Sequence, residues 1–195
     1  MKFSKHPLRS SEDPAMSPSY RITTLRAVVV LFVAGCASSP VAPPDAPAAL
    51  RPPPGQSPFL EAFATGVQIY ECAAKSGEPS AFAWIFRAPE APLTDRSGRS
   101  IGKHYAGPTW ESFDGSIVVG EIASRDPGPD KSAIPWLLLT AKATSGTGEL
   151  SSTKSIQRIR TTGGLAPSQP CSPDNAKQVV RVPYTATYYF YHAAS

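Results

Sequence analysis

The sequence predicts an all-β domain, mainly antiparallel, that forms a single β-sandwich or a small barrel-like structure with long loops and little helix. Short segments in which apolar and polar residues alternate recur along the chain, and turns rich in glycine and proline separate them. Long helical periodicity is missing, which argues against the alternating strands and helices of dinucleotide-binding and TIM-barrel folds. Only residues 58–65 have a helical pattern, and it is brief.

Residues 1–35 have the composition of a secretory signal peptide. Basic Arg21 and Arg26 precede the uncharged run AVVVLFV, which is far shorter than the ~20 apolar residues that a transmembrane helix needs. Met16 is an alternative start, and it would leave a compact basic region in front of the apolar run. Either start predicts the same mature chain.

The apolar run ends in VAGC, which resembles the lipobox of bacterial lipoproteins at Cys36. In that family the cysteine carries diacylglycerol, the signal is cut before it, and the new amino terminus is acylated, with palmitate as a common chain. Two or more acyl chains anchor a protein stably. The resemblance implies a lipid-anchored protein of the cell envelope, and Ala37 favours an outer membrane, facing the periplasm or the cell surface in a Gram-negative cell. An ordinary secreted protein and an uncleaved anchor are the alternatives.

Residues 36–58 predict a tether that follows the lipidated cysteine. From Pro40 to Pro58 the chain reads PVAPPDAPAALRPPPGQSP, which has little to bury and many prolines. Such a segment favours an extended, partly polyproline spacer. The β domain is then expected over residues 59–195.

The strands of this domain follow from the alternation of residue types. They are predicted over residues 66–72, 81–87, 109–113, 116–122, 134–142, 154–160 and 179–191. Asp114-Gly115 is the strongest hairpin signal, and residues 95–99 resemble a second hairpin loop. One face of the last strand is predicted to carry Val180, Val182, Tyr184, Ala186, Tyr188 and Phe190. Pro183 argues for an edge position or a break in that strand.

The charge of the chain argues against a nucleic-acid partner. The formal net charge is +4, but five of the 19 basic residues and two of the 15 acidic ones lie within residues 1–36. The remainder has 14 basic and 13 acidic residues, a net charge of +1, with no basic run. The expected partners are the membrane, through the lipid, and a small molecule, a glycan or an envelope protein.

The three cysteines are explained if Cys36 carries lipid. Cys72 and Cys171 can then form a disulfide, which an oxidising envelope compartment permits. Two free thiols, or a bridge that never forms, are the alternatives. A metal role is weak because neither cysteine has a CxxC partner.

Five segments together resemble the motifs of one family. They are GVQIYEC (66–72), GKHYAGPTWE with DGS (102–111 and 114–116), IPWLL (134–138), IQRIRTTGGLAP (156–167) and VPYTA (182–186). Their order is similar to that of DUF3455, a family of unknown function, and the resemblance covers about residues 54–192. It implies membership of that family and supplies no reaction.

The second of these segments holds the best candidates for chemistry. His104 lies among glycines, Trp110 and Glu111 point to opposite faces of the next strand, and Asp114 lies at its turn. His104 with Glu111 or Asp114 could form an acid–base pair or part of a metal site. The structural interpretation is favoured, in which Asp114 forms the turn, Glu111 faces outward and His104 is a hydrogen-bonding loop residue.

Gln157 and Arg158 are candidates of a second kind. Arg158 could bind a carboxylate or phosphate bidentately, or it could pair with Glu111 to hold two strands together, and the structural pairing is slightly favoured. No nucleophile elbow and no zinc signature are present, so neither a metal nor a cofactor is expected.

These observations favour a non-catalytic binding or structural module over an enzyme. The expected ligand face lies near residues 104–114 and 157–167. The alternative is a hydrolase that acts on an envelope substrate through His104 with Glu111 or Asp114. A purely structural role, without any ligand, is a third interpretation.

Overall fold

The computed structural model describes residues 40–194. The predicted signal peptide, the alternative start Met16 and the lipobox at Cys36 lie outside the described residues. Eight strands make up the domain: β1 (Gln56–Lys75), β2 (Glu78–Thr94), β3 (Ser100–Tyr105), β4 (Thr109–Ser112), β5 (Ile117–Asp126), β6 (Trp136–Ser145), β7 (Ser155–Gly163) and β8 (Val179–Ala193). Short 3-10 helices are present at Ala48–Leu50, Glu149–Ser152 and Pro173–Asn175.

The strands form a closed barrel in which each pairs with its neighbours in the chain. All neighbouring pairs are antiparallel, and β1 closes the ring by pairing with β8 from Gln56↔Ala193 to Glu71↔Val179. The predicted all-β fold is confirmed, as a barrel and not as a sandwich. Closure gives every strand a partner on both sides, although β2 and β5 pair with the short β3 and β4 over only part of their length. Residues 40–194 form one compact unit with its own core, so this part of the chain is expected to fold by itself.

Two details of the strands differ from the sequence predictions. Residues 58–65, which have a helical pattern, belong to β1 because their backbone pairs with β8 and the small Ala62 and Ala64 point into the core. β8 continues through Pro183, which pairs with Val67 of β1. On the other side of β8, the pairing with β7 ends at Tyr184, so Pro183 lies at a local edge.

The barrel has two ends that differ in their filling. One end, the closed end, carries the turns at residues 95–99, 113–116 and 146–154, and Leu150 of the second 3-10 helix packs there with Leu93 and Phe190. The other end, the open end, carries the loops at residues 106–108, 127–135 and 164–178. The predicted inward face of β8 is confirmed from Tyr184 to Phe190, since the core includes Tyr184, Ala186, Tyr188 and Phe190, whereas Val180 and Val182 are only partly buried.

Part of the predicted tether packs against the outside of the barrel. Leu50 is fully buried and Ala46 is 8% exposed, in a cluster with Leu138, Ile159, Tyr189 and Tyr191 on the outer faces of β6, β7 and β8. The ordered domain therefore extends before the predicted start at residue 59. Val41 also packs against this cluster, so the predicted spacer would be limited to the residues before Val41.

Among residues 40–194, no helix is long and apolar enough to span a membrane.

Candidate functional site

An internal cavity of about 480 Å³ occupies the half of the barrel near the open end. Its volume lies in the range of small-molecule sites, roughly 300–1,000 Å³. The wall is formed by Gln68, Tyr70, Phe86, Arg87, Pro89, His104, Gly107, Pro108, Trp110, Ile122, Arg125, Ile134, Pro135, Leu137, Leu139, Arg158 and Tyr188. Eight-stranded barrels are wide enough to hold one small ligand among their inward side chains.

The cavity opens to solvent beside the short strands β3 and β4. These strands pair with β2 only at residues 91–94 and with β5 only at residues 117–119, whereas β2 and β5 continue well beyond. Phe86 of β2 and Ile122 of β5 line the cavity and are 48% and 39% exposed. The exposed residues of the opening are thus the apolar Phe86 and Ile122 together with the basic Arg87 and Arg125.

His104 and Trp110 form one wall of the cavity. They pair across β3 and β4, and their rings stack with centroids 4.4 Å apart and planes 10° apart. Gly120 of β5 makes room for this stack, since a Cβ there would lie 3.0 Å from Trp110 Cζ3 and 3.1 Å from Leu139 Cδ2. The glycine thus sets the shape of this wall.

The environment of His104 keeps its ring neutral. Burial lowers the pKa of His104 to about 3, because it disfavours the charged form more than the hydrogen bond to Thr109 favours it. His104 Nδ1 lies 2.8 Å from the backbone oxygen of Thr109, which can only accept a hydrogen bond. Nδ1 therefore carries the proton, and Nε2 is left as an acceptor.

The cavity wall contains buried polar atoms that no protein group satisfies. Within the described part of the chain, Gln68 Nε2, Trp110 Nε1 and the Tyr188 hydroxyl of this wall have no hydrogen-bond partner, and neither has the hydroxyl of the neighbouring Tyr184, which does not line the cavity. Tyr184 and Tyr188 lie near each other without hydrogen-bonding geometry, and burial raises the pKa of both hydroxyls. Buried polar groups are normally paired, so these donors are available to a molecule that enters the cavity.

The structure brings three of the six predicted site residues to the cavity. His104, Trp110 and Arg158 line it. Arg158 does not pair with Glu111, which corrects the favoured pairing; its Nε and Nη2 donate to the backbone oxygen of Pro135 at 3.2 and 2.8 Å. This bond attaches the loop that precedes β6 to β7.

Glu111 and Asp114 lie away from the cavity. Glu111 faces outward, where it accepts a hydrogen bond from Tyr105 and pairs with Lys103 Nζ at 3.2 Å. Asp114 accepts hydrogen bonds from Ser116 and from the backbone N–H of Glu149, which together lower its pKa to about 2. The acid–base pair of His104 with either carboxylate is therefore not assembled.

Gln157, the sixth predicted residue, lies on the outer surface of β7. Its Nε2 donates to the backbone oxygen of Leu50 at 2.8 Å, and its Oε1 accepts from Tyr191 at 2.9 Å. It attaches the segment before β1 to the barrel and does not reach the cavity.

The predicted disulfide is present. Cys72 and Cys171 are bonded, with Cα atoms 5.5 Å apart and 99 residues apart in sequence. The bond joins the end of β1 to the long loop before β8. Trp84 Nε1 donates to the backbone oxygen of Gln169 in the same loop at 2.9 Å, so this side of the open end is held in place.

Sequence reasoning missed several residues of the wall. Gln68 and Tyr70 lie two positions apart in β1, so their side chains face the same side of the sheet, which is the inside of the barrel. This alternation could have predicted that both line the cavity. Arg125 has no such signal, because the register of β5 shifts between Ile122 and Ser124 and brings both Ile122 and Arg125 inward.

No group of three or more His, Cys, Asp and Glu side chains within residues 40–194 is arranged to hold a metal ion.

The profile described as "Protein of unknown function (DUF3455)" matches residues 53–192, most of the chain. The chain belongs to the DUF3455 family. No curated protein and no solved structure matches it. The DUF3455 match spans all eight strands except the last residue of β8, so it covers the whole cavity wall. Since the family description names no activity, the geometry of the cavity carries the functional argument.

Proposed function

We propose that this protein is a lipid-anchored protein of the cell envelope whose barrel binds a small, largely apolar molecule. The observation that carries the proposal is the internal cavity of about 480 Å³, which is lined mostly by apolar residues and by a few unpaired buried donors. A barrel with only a structural role would gain stability by filling this space, because an empty interior forfeits packing contacts. Ligand sites are commonly apolar pockets with a few polar groups that fix orientation.

Non-catalytic binding is favoured over hydrolysis. A hydrolase acting through His104 needs a carboxylate or a nucleophile beside the imidazole. Glu111 and Asp114 are engaged elsewhere, and His104 is held neutral by burial. His104 is better suited to accept a hydrogen bond through Nε2 than to transfer protons near neutral pH.

The envelope location rests on the lipobox at Cys36 and is consistent with the disulfide. Disulfides persist in oxidising compartments and are rare in the cytosol. Val41 already packs against the outer cluster, so only residues 37–40 separate Cys36 from the docked segment, and lipid on Cys36 would hold the barrel close to the membrane surface.

A fluorescence titration tests the binding function. A soluble form that begins at Ala37 is exported behind a cleavable signal and titrated with N-phenylnaphthylamine, a neutral apolar fluorophore. Saturable binding of one probe per chain in the micromolar range is expected. Leu137→Trp, which places a larger side chain in the cavity, should weaken it at least several-fold.

The matched control is Phe113→Ala. Phe113 is 70% exposed and lies at the closed end, so its removal should leave the affinity unchanged. Unsaturable fluorescence, or equal binding by the Leu137→Trp protein with its fold intact, would refute the binding function.

Metabolic labelling tests the anchor. Cells that express the full chain are given radioactive palmitate, and label is expected on the native chain and absent from Cys36→Ser. Equal labelling of the two proteins, or none on the native chain, would rule out lipidation at Cys36.

A further inference from the structure

We infer that the ligand of this cavity carries an anionic group, a carboxylate or a phosphate, which binds between Arg125 and Arg158 while its apolar body lies against Trp110 and Leu139. The inference rests on the proposed binding function and names the chemical class of the ligand. Its evidence is the arrangement of charges and hydrogen-bond donors in the cavity wall.

The two arginines lie in one inward-facing row across the sheet. The register pairs Arg125 of β5 with Leu137 of β6, and Leu137 with Arg158 of β7. Neighbouring strands are about 4.8 Å apart, so two strand spacings place the two Cα atoms about 10 Å apart. Two long side chains at this separation on the same face can converge on one anion.

The positive charge of this row is not neutralised by the protein. Among the described residues that line the cavity, none is acidic. The third arginine of the wall, Arg87, pairs with Glu71 at 2.9 Å. Within residues 40–194, neither Arg125 nor Arg158 forms a salt bridge.

The guanidinium of Arg158 is fixed in the cavity wall, where its charge acts on the buried side chains around it. Its Nε and Nη2 donate to the backbone oxygen of Pro135, which fixes the guanidinium beside the Tyr188 hydroxyl. Its charge lowers the pKa of His104 and opposes the upward shift of the pKa of Tyr70, Tyr184 and Tyr188. A fixed guanidinium is a good partner for a carboxylate or phosphate.

The unpaired atoms of the wall point to the same ligand chemistry. Gln68 Nε2 and Trp110 Nε1 are donors only, and the Tyr188 hydroxyl can donate. Gln68, Trp110 and Tyr188 are at most 3% exposed. A ligand rich in acceptor oxygens would satisfy them, whereas a cation would be repelled by both arginines.

A matched pair of probes tests the inference on the soluble form that begins at Ala37. N-phenylnaphthylamine and anilinonaphthalene sulfonate share an aromatic body and differ chiefly in one sulfonate. At low salt, the sulfonate is expected to bind at least ten-fold more tightly than the neutral probe. The difference should shrink as salt is raised, because Arg125 is exposed.

Arginine variants test whether Arg125 and Arg158 cause the preference for the sulfonate probe over the neutral probe. Arg125→Gln should reduce sulfonate affinity about ten-fold and change the affinity for the neutral probe much less. Arg158→Gln tests the inner group, and Arg158→Lys, which keeps the charge, should retain part of the preference if the protein folds. Arg99→Gln, at the closed end and 77% exposed, is the control and should change neither affinity.

Competition then identifies the head group. Decanoate, decyl phosphate, decanol and decylamine are used to displace the bound sulfonate probe. Displacement by decanoate or decyl phosphate well ahead of the other two supports the inference, and the stronger of the two names the head group.

Equal affinity for both probes, no effect of Arg125→Gln, or displacement by decanol as readily as by decanoate would overturn the anionic class and leave the binding function intact. Failure of both probes to bind would instead refute the binding function itself.

Discussion

The imidazole of His104 stacks on the indole of Trp110 inside the barrel, with the ring planes 10° apart. The edge of Tyr188 closes the same group from β8, with ring centroids 5.2 Å from His104 and 5.4 Å from Trp110. This aromatic group joins the short β3–β4 pair to the strand that closes the barrel. Its stability depends on the neutral form of His104.

A pH dependence of stability follows from this environment. The folded pKa of His104, about 3, lies below the unfolded value of 6.5, so the unfolded chain binds the extra proton first as pH falls. The contribution of His104 is fully present above pH 6.5 and decreases toward pH 3. The expected slope is about 1.4 kcal/mol per pH unit within that window.

Urea denaturation at several pH values between 7 and 5 measures this slope. His104→Asn, which can still donate to Thr109 but does not titrate, serves as the control and should lack the His104 part of the slope. Identical slopes in the two proteins would show that His104 is not held neutral by the fold.

The disulfide should be a major part of the stability. A bond that closes a loop of about 100 residues contributes up to about 4–5 kcal/mol in the chain-entropy model. For a domain of this size, reduction is expected to lower the Tm by about 10 °C. Calorimetry with and without a phosphine reductant measures the change.

The double variant Cys72→Ala/Cys171→Ala separates the bond from side effects of the reductant. It should melt near the reduced native protein and show no response to reductant. A native Tm that is unchanged by complete reduction would contradict this account.

Much of the fold was predictable from the sequence because it depends on local alternation. The inward face of β8 from Tyr184 to Phe190 and the hairpin at Asp114-Gly115 follow from side-chain parity and turn chemistry. Closure into a barrel was not predictable, because it depends on the long-range pairing of β1 with β8. The same pairing makes residues 58–65 a strand in spite of their helical pattern.

The candidate site was predictable only in part, for the same reason. Successive side chains of a strand face opposite sides of the sheet, which predicted that Trp110 and Glu111 point in opposite directions. The same rule could have predicted that Arg158 faces the cavity and Gln157 the outer surface. It could not show that Arg125 joins Arg158, because a register shift in β5 changes which residues face inward. Three-dimensional closure, not composition, brings these residues to one cavity.

The segment before β1 should stabilise the outer face of the barrel. Leu50 is fully buried against β6, β7 and β8, so Leu50→Ala is expected to cost about 2–4 kcal/mol. Leu165→Ala is the matched control, since Leu165 is 41% exposed and the same truncation there should cost well under 1 kcal/mol. Chemical denaturation measures both, and equal effects would mean that the segment is not docked in solution.

Glu61 should hold β1 to β8 through charge. Its side chain is 5% exposed; it accepts hydrogen bonds from Tyr189 and Arg96, and Arg160 Nη1 lies 3.6 Å away. Burial opposes its ionisation, but the hydrogen bonds from Tyr189 and Arg96 outweigh it and lower the pKa of Glu61. The stabilisation is thus present above the unfolded pKa of about 4.5 and is lost as pH falls through the folded value.

Glu61→Gln tests this contribution. The variant is expected to lose about 1–3 kcal/mol at pH 7, because hydrogen bonds to a charged group are replaced by weaker ones and two arginines lose their counter-charge. The loss should shrink as pH falls below about 4.5, because Glu61 of the unfolded chain then binds a proton before Glu61 of the native protein does. Glu121→Gln, at a pair 64% exposed on both sides, should change stability by less than about 0.5 kcal/mol. A Glu61→Gln protein as stable as the native one at pH 7 would show that hydrogen bonding alone, without the charge, closes the barrel between β1 and β8.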